Sequence, residues 1–315
     1  MNRKRKQQLL CIIFIIILCM VYEIWLGPRL ALLNGRSVTE AQAAQKAQVE
    51  AQDTQNVTMQ KDAQLQIGEP AKITIEKKEL GADKNHITYY LVDLQLSDAT
   101  QLQTALAHDT YGTDIKDTLS NMAEEHDANF AVNGDFYGYR QDGIVIRDGV
   151  LYRDEPTDRN CLVLYRDGTA ETIKESDTTG QELLDKGAWN VFSFGPVLVR
   201  DGRQEPNLTD AYKVDAVNVS ISGVEPRTGI GYLGKNHFLI LVVDGRQEGY
   251  SRGMNFEEMA KVFEEAGCEL AYNLDGGGSV TLYQDGQIIN SPCPLVGKER
   301  NISDILYVSR TDSGV

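Results

Sequence analysis

An α+β body built on mixed β-sheet with few helices is the fold class this sequence predicts. Three observations carry that expectation. From about Lys72 the chain falls into short apolar or alternating runs, the period of half-buried strands. Asp148-Gly149, Asp167-Gly168, Asp201-Gly202 and Asp285-Gly286 punctuate those runs as tight turns. Only two segments carry a convincing helical period, and strict strand–helix alternation is absent.

Strands are expected at Lys72–Glu76, Thr88–Leu96, Phe130–Asn133, Leu162–Tyr165 and Asn190–Phe194. Five more are expected at Pro196–Arg200, His237–Val243, Glu269–Asn273, Val280–Tyr283 and Ile305–Ser309. The first helix, Thr118–Asp127, places Leu119, Met122 and Ala123 on one face. The second, Asn255–Ala266, opens with a capping pair, Asn255 and Glu258. Phe256, Met259, Ala260 and Phe263 then follow its apolar stripe, and Gly267 supplies a stop.

Three segments divide the chain: a basic tip and apolar run at 1–27, a polar stretch at 28–69 and the body at 70–315. Arg3-Lys4-Arg5-Lys6 precedes fourteen apolar residues, Leu9–Tyr22, and Leu9–Leu26 reaches the ~18 residues that a spanning helix requires. A secretory signal would end at small residues, whereas Val21-Tyr22-Glu23-Ile24-Trp25 is bulky. A single-pass signal anchor with the amino terminus inside the cell is the expected reading, and the four cations set that orientation. Either reading puts the body outside the cytoplasm, and the anchor reading has it meet the membrane through the amino-terminal helix. The Gln/Ala-rich residues that follow have scarcely any large apolar side chain and read as a spacer.

Charge excludes one class of partner. The chain carries a net −15, and the first 36 residues hold six basic side chains and one acid, so the rest carries −20. Nucleic acid binding needs a basic surface to displace counterions, so it is not expected here. Outside the apolar run the cysteines are Cys161, Cys268 and Cys293. A Cys268–Cys293 disulfide and three buried apolar thiols are both open readings. No Cys-x-x-Cys pair exists and the four histidines are scattered, which argues against a zinc site.

The densest chemistry lies between Leu239 and Tyr283. An apolar strand delivers Asp244-Gly245-Arg246, the capped helix follows, and a second strand delivers Asn273-Leu274-Asp275-Gly276-Gly277-Gly278-Ser279. If the two strands are parallel neighbours, Asp244 and Asp275 both stand at carboxyl ends, where open sheets hold ligands. Three successive glycines forfeit backbone entropy; a nest of N–H groups around an anion and a Gly-rich bulge both account for them. It is no nucleotide phosphate loop, because strand and turn follow in place of Lys-Ser/Thr and a helix. Further polar clusters are Asn133-Gly134-Asp135, Glu225-Pro226-Arg227, Tyr250-Ser251-Arg252 and Lys298-Glu299-Arg300.

Taken in order, Asn-Gly-Asp-Phe-Tyr (133–137), Phe-Gly-Pro-Val-Leu (194–198), Pro-Arg-Thr-Gly-Ile-Gly (226–231), Val-Asp-Gly-Arg (243–246), Gly-Tyr-Ser-Arg-Gly-Met (249–254), Asn-Leu-Asp-Gly-Gly-Gly-Ser (273–279) and Glu-Arg-Asn-Ile-Ser-Asp (299–304) resemble the phosphodiester glycosidase family. The resemblance spans about Phe130 to Val308, and the Asn-Leu-Asp-Gly-Gly-Gly-Ser string is its most specific piece. Many relatives read Asn-Gly-Gly-Phe-Phe at the first motif, so Asp135 is a feature of some members only.

The resemblance implies hydrolysis of a sugar-1-phosphodiester at the anomeric carbon in a surface or extracellular, exopolysaccharide-type glycan. It implies catalytic roles for Asp275, Asp244, Arg227 and Asp135. Asn133, Arg252, Gly276, Gly277, Gly278, Ser279 and Arg300 are expected to bind substrate. A phosphomonoester is a good leaving group, so the bond needs charge balance on phosphate and a carboxylate facing the sugar. Two other readings remain open: a non-catalytic glycan-binding module, and a phosphodiesterase assisted by Ca²⁺ or Mg²⁺ held by the aspartates.

Overall fold

A computed structural model describes residues 69–208, 223–293 and 299–314. The expected anchor and nearly all of the spacer lie outside the described residues. Among the described residues no helix is long and apolar enough to cross a membrane.

The body opens with a long hairpin, β1 (Lys72–Leu80) and β2 (Ile87–Gln95), followed by β3 (Gln103–Leu106). Helix α1 (Leu119–Glu125) starts at Thr118, whose side chain accepts from Asn121 N–H, and leads to β4 (Ala128–Asn133). Next come β5 (Gly143–Arg147), β6 (Val150–Glu155), β7 (Asn160–Tyr165) and β8 (Ala170–Lys174). A short helix, α2 (Gly180–Asp185), carries a Thr179/Glu182 capping box and precedes β9 (Ala188–Phe192), β10 (Val197–Arg200) and β11 (Arg203–Gln204). The remainder is β12 (Arg227–Gly234), β13 (His237–Val243), α3 (Phe256–Glu265), β14 (Leu270–Asn273), β15 (Leu282–Gln284), β16 (Gln287–Ile288), β17 (Asp304–Ser309) and a terminal turn of helix, α4 (Arg310–Ser313).

Three sheets result, in the orders β1-β2-β13-β12-β14-β10-β11, β16-β15-β4-β17-β3 and β6-β5-β9-β7-β8. Their facing sides share one core, in which Val92, Phe130, Leu162, Phe192, Ile240 and Leu306 are all buried. On the outer face of the seven-stranded sheet, Phe256, Met259 and Phe263 of α3 pack against Leu239, Leu241 and Val199. The α3 cap is the one expected, with Asn255 accepting from Glu258 N–H at 2.8 Å. Asp148, Asp201 and Asp285 adopt positive φ ahead of glycines that do the same, joining β5–β6, β10–β11 and β15–β16 as two-residue hairpins.

Two sequence expectations are corrected. Every sheet pairing among the described residues is antiparallel, so the sheets are not mixed. The strand–helix–strand unit is not a pair of parallel neighbours: β12 lies between β13 and β14 and runs against both. The common direction of β13 and β14 survives, because two antiparallel steps restore it, and Asp244 and Asp275 still leave the same edge. Cys161, Cys268 and Cys293 are buried free thiols, which removes the Cys268–Cys293 disulfide. Cys268 instead packs under α3, its sulfur 2.6 Å from where a β-carbon on Gly231 would stand.

Candidate active site

Asp275 stands two residues past the end of β14 and is nearly buried, its side chain one-tenth exposed. Its backbone is fixed from two sides: its N–H donates to Gly134 O at 3.2 Å, and its carbonyl accepts from Asn133 Nδ2 at 2.7 Å. One carboxylate oxygen accepts from Gly276 N–H at 2.9 Å, the other from Ser279 Oγ at 2.5 Å. Arg300 reaches that second oxygen with Nη2 at 3.5 Å. Burial pushes the Asp275 carboxyl above its ordinary range, against the pull of Arg300, Ser279, Gly276 and Arg140.

The mouth above Asp275 is cationic and aromatic. Phe136 and Tyr139 stack at 4.1 Å, and the Arg300 guanidinium lies 5.9 and 5.5 Å from their rings. Arg140 lies over Phe136 and Phe194 and donates to Ser193 O at 3.0 Å. The Arg300 Nε–H is buried without a hydrogen-bond partner among the described residues. Two guanidiniums flank the triple-glycine turn: a β-carbon on Gly277 would stand 3.3 Å from Arg246 Nη2, and one on Gly278 would stand 3.1 Å from Arg300 Cδ. Close approach of these arginines, together with a φ of +61° at Gly277, is what the glycines permit. Arg246 is steadied by an ion pair with Glu225.

Beneath the mouth lies a closed ion cluster. Arg147 is buried between Asp135, at 3.1 Å, and Asp304, at 2.8 Å, with its guanidinium 4.4 Å from the Phe192 ring. Burial disfavours ionisation of Asp135, yet Arg147 and the N–H groups of Ser193 and Tyr137 hold it below its ordinary range. Burial pushes Asp304 up to about 7, with Arg147 pulling down and Asp135 pushing up. The two regions meet at Gly134, whose N–H donates to Asp304 O and whose carbonyl accepts from Asp275 N–H. A β-carbon at 134 would stand 2.5 Å from Asp304 Oδ1, so this crossing point has room only for glycine.

The expected site residues sort into three groups. Asp275, Ser279, Gly276, Asn133 and Arg300 converge, with Asn133 also accepting from Thr228 Oγ1 at 2.7 Å and so tying β4 to β12 and to the exit of β14. The amides expected to form an anion nest are partly used within the fold: Gly276 N–H by Asp275 and Gly277 N–H by Pro226 O at 2.9 Å. Asp244, Arg227 and Arg252 hold structure around the site. Asp244 accepts from Asn290 Nδ2 at 2.9 Å, Tyr250 OH at 2.9 Å and Ser291 N–H at 3.1 Å.

Arg227 shares with Gly229 the α3 side of β12, while Thr228 faces the inner core. Its guanidinium lies 4.3 Å from the Phe256 ring, donates to the carbonyls of Met254 and Gly223, and is drawn down to about 10 by burial. Its backbone adjoins the triple glycine, with Gly276 packed on Pro226 O. Arg252 pairs with Glu258 at the start of α3. Sequence reasoning missed Arg140, Arg147, Arg246 and Asp304. Arg246 and Asp304 sit inside quoted motifs and were reachable from them; Arg140 and Arg147 carry no local signal.

The aspartates do not make a hard-cation cage. Both Asp275 oxygens already have donors, Asp135 and Asp304 share Arg147, and no group of three acidic, His or Cys side chains gathers among the described residues.

Residues 126–309 match the family described as Phosphodiester glycosidase. The SPbeta prophage-derived uncharacterized protein YomE of Bacillus subtilis (strain 168) is 33% identical over 210 residues, 64% of this chain and 31% of that protein. The N-acetylglucosamine-1-phosphodiester alpha-N-acetylglucosaminidase of Homo sapiens is 25% identical over 186 residues, 56% of this chain and 35% of that protein. The chain thus spans about a third of the length of these curated relatives. Among solved structures, the catalytic domain of the zebrafish N-acetylglucosamine-1-phosphodiester alpha-N-acetylglucosaminidase, auto-inhibited by its pro-peptide, shares the fold. It superposes with a TM-score of 0.60 at 21% identity, over 76% of this chain and 83% of that one. With more than half its length matched and the fold shared, this chain belongs to the phosphodiester glycosidase family.

Proposed function

We propose that this chain hydrolyses the bond between the anomeric carbon of a sugar and a phosphodiester, in a surface or extracellular glycan. The observation that carries this reading is Asp275 at the foot of a mouth lined by Arg300, Arg246 and Arg140, with the Arg300 Nε–H unpartnered among the described residues. Arg300 and Arg246 neutralise the departing phosphate, and Phe136 with Tyr139 offers a ring surface to the sugar. As the C–O bond breaks, its electron pair leaves with the phosphate oxygen. Water adds to the anomeric carbon, and Asp275 faces that carbon to take the water's proton. Asn133, Ser279 and Gly276 set the position of Asp275. Asp135 and Asp244, each enclosed by donors, shape the floor and the neighbouring loops.

The test is a panel of sugar-1-phosphate diesters in water enriched in oxygen-18, with and without chelator. Label in the released sugar supports the reading; label in phosphate, or turnover abolished by chelator, replaces it with metal-assisted P–O cleavage. Substrate binding with no turnover of any diester would make the chain a binding module. The family likeness of the human enzyme, named for a phosphodiester-linked N-acetylglucosamine, makes that sugar the first to try.

We also propose, from the basic tip and apolar run alone, that the body works outside the cytoplasm on a single-pass anchor. Protease added to intact cells should then digest the body; full protection would overturn the placement.

A further inference from the structure

At the end of β12 and β14 remote from Asp275, a groove of about 470 Å³ opens between β8 and the β10–β11 turn. Tyr232, half-buried, and Leu270 form its apolar part. Asp201, Glu269 and Arg200 stand around it, while the Glu171 carboxylate turns to the opposite face of its sheet and accepts from Tyr165 OH. Its walls are fixed by backbone, since Gly202 N–H donates to Glu269 O at 2.9 Å and Glu269 N–H to Tyr232 O at 2.8 Å. Thr172 also lines the groove, and its hydroxyl is buried with no partner among the described residues. The Leu162–Thr172 pairing puts that side chain with Leu162 on the inner side of its sheet, toward Tyr232. A buried hydroxyl left unpaired loses its hydration for no return, which a ligand hydroxyl would supply.

We infer that this groove is a second sugar-binding site, for a hydroxyl-rich, phosphate-free stretch of glycan. An aromatic ring beside planar carboxylates and a guanidinium is the combination that packs a sugar face while pairing its hydroxyls. Charge chooses among glycans. Asp201 and Glu269 on the rim, with Arg200 already paired to Glu205 at 2.6 Å, repel phosphate, whereas the Asp275 mouth gathers arginines.

The inference stands or falls apart from hydrolysis, because it is read by binding. Calorimetric titration of the full chain uses short neutral oligosaccharides of glucose, mannose and N-acetylglucosamine, and their phosphorylated counterparts. At least one neutral series should bind with a dissociation constant on the order of 1 mM. Thr172→Val should weaken it about fivefold while leaving thermal stability unchanged or raised, since the lost hydroxyl has no protein partner. Glu269→Lys, on the exposed rim, should narrow the gap between neutral and phosphorylated ligands. Absence of binding by every neutral series, or binding equal in wild type and both variants, overturns the site.

Discussion

Arg147 and Arg300 each lie against aspartates on either side of Gly134, yet the two arrangements are built for different ends. Arg147 is sealed: 2% of its side chain is exposed, and two carboxylates and the Phe192 ring enclose it. Arg300 is one-third exposed, touches Asp275 with a single nitrogen and keeps another N–H without a partner among the described residues. A cation held between two carboxylates and closed off from solvent fixes geometry, whereas a pair with an open side can meet a ligand. On the proposed reading the cluster below holds structure and the mouth above carries chemistry.

Removing the cation from the sealed cluster has the largest effect. Arg147→Met leaves Asp135 and Asp304 buried without their shared partner and should destabilise the fold by about 3–5 kcal/mol, measured by urea unfolding. Adding Asp135→Asn and Asp304→Asn should recover much of the loss; a single variant as stable as wild type would show that the cluster is not structural. The same cluster predicts a pH dependence. Asp304 keeps its proton to about 7 when folded but only to about 4 when unfolded. The folded state therefore holds the extra proton between those values, and stability falls as pH rises through that window. Asp135 acts with the opposite sign: its contribution is present above the ordinary carboxylate value and is lost as pH falls through its lowered folded value. Asp304→Asn should flatten the first decline and leave the second.

At the mouth the signature reverses, with activity lost and stability kept. Asp275→Asn should cut turnover of the preferred diester by about 10²–10⁴-fold with an unchanged unfolding midpoint. A variant that stays active would return the carboxylate role to Asp244. Arg300→Lys keeps the charge but gives up the planar fork and the spare Nε–H, and should lower kcat/KM about tenfold. An Arg300→Lys enzyme indistinguishable from wild type would leave Arg246 and Arg140 as the phosphate-holding pair.

The division was half legible in the sequence. Asp275, Ser279 and Arg300 were readable because they lie in contiguous motif strings, and α3 because its cap and stripe agree. Arg147 was not, since a lone arginine ending a strand reads as a surface cation until the partners from β4 and β17 are in place. The antiparallel order was hidden for a related reason. β12 precedes β13 in the chain, so nothing local says that it inserts between β13 and β14. Arg227 illustrates the period of two: it lies one residue from Thr228, which faces the site side of β12, and so takes the α3 side.

The smallest predicted effect is the most informative about mechanism. Burial raises the Asp275 carboxyl, and Ser279 is one of the groups pulling it back. Ser279→Ala removes that donor, so the carboxyl should rise further. Which limb of the pH profile moves then reports the role of Asp275. If the ionised carboxylate takes the water's proton, activity grows as Asp275 deprotonates, and the acid limb of kcat/KM shifts upward. If the protonated acid is needed instead, the alkaline limb shifts upward and the acid limb stays. A profile that does not move while Ser279→Ala remains folded would mean that a group other than Asp275 governs the rate, and the distinction between a sealed cluster and a reactive mouth would have to be redrawn around Arg300 and its other neighbours.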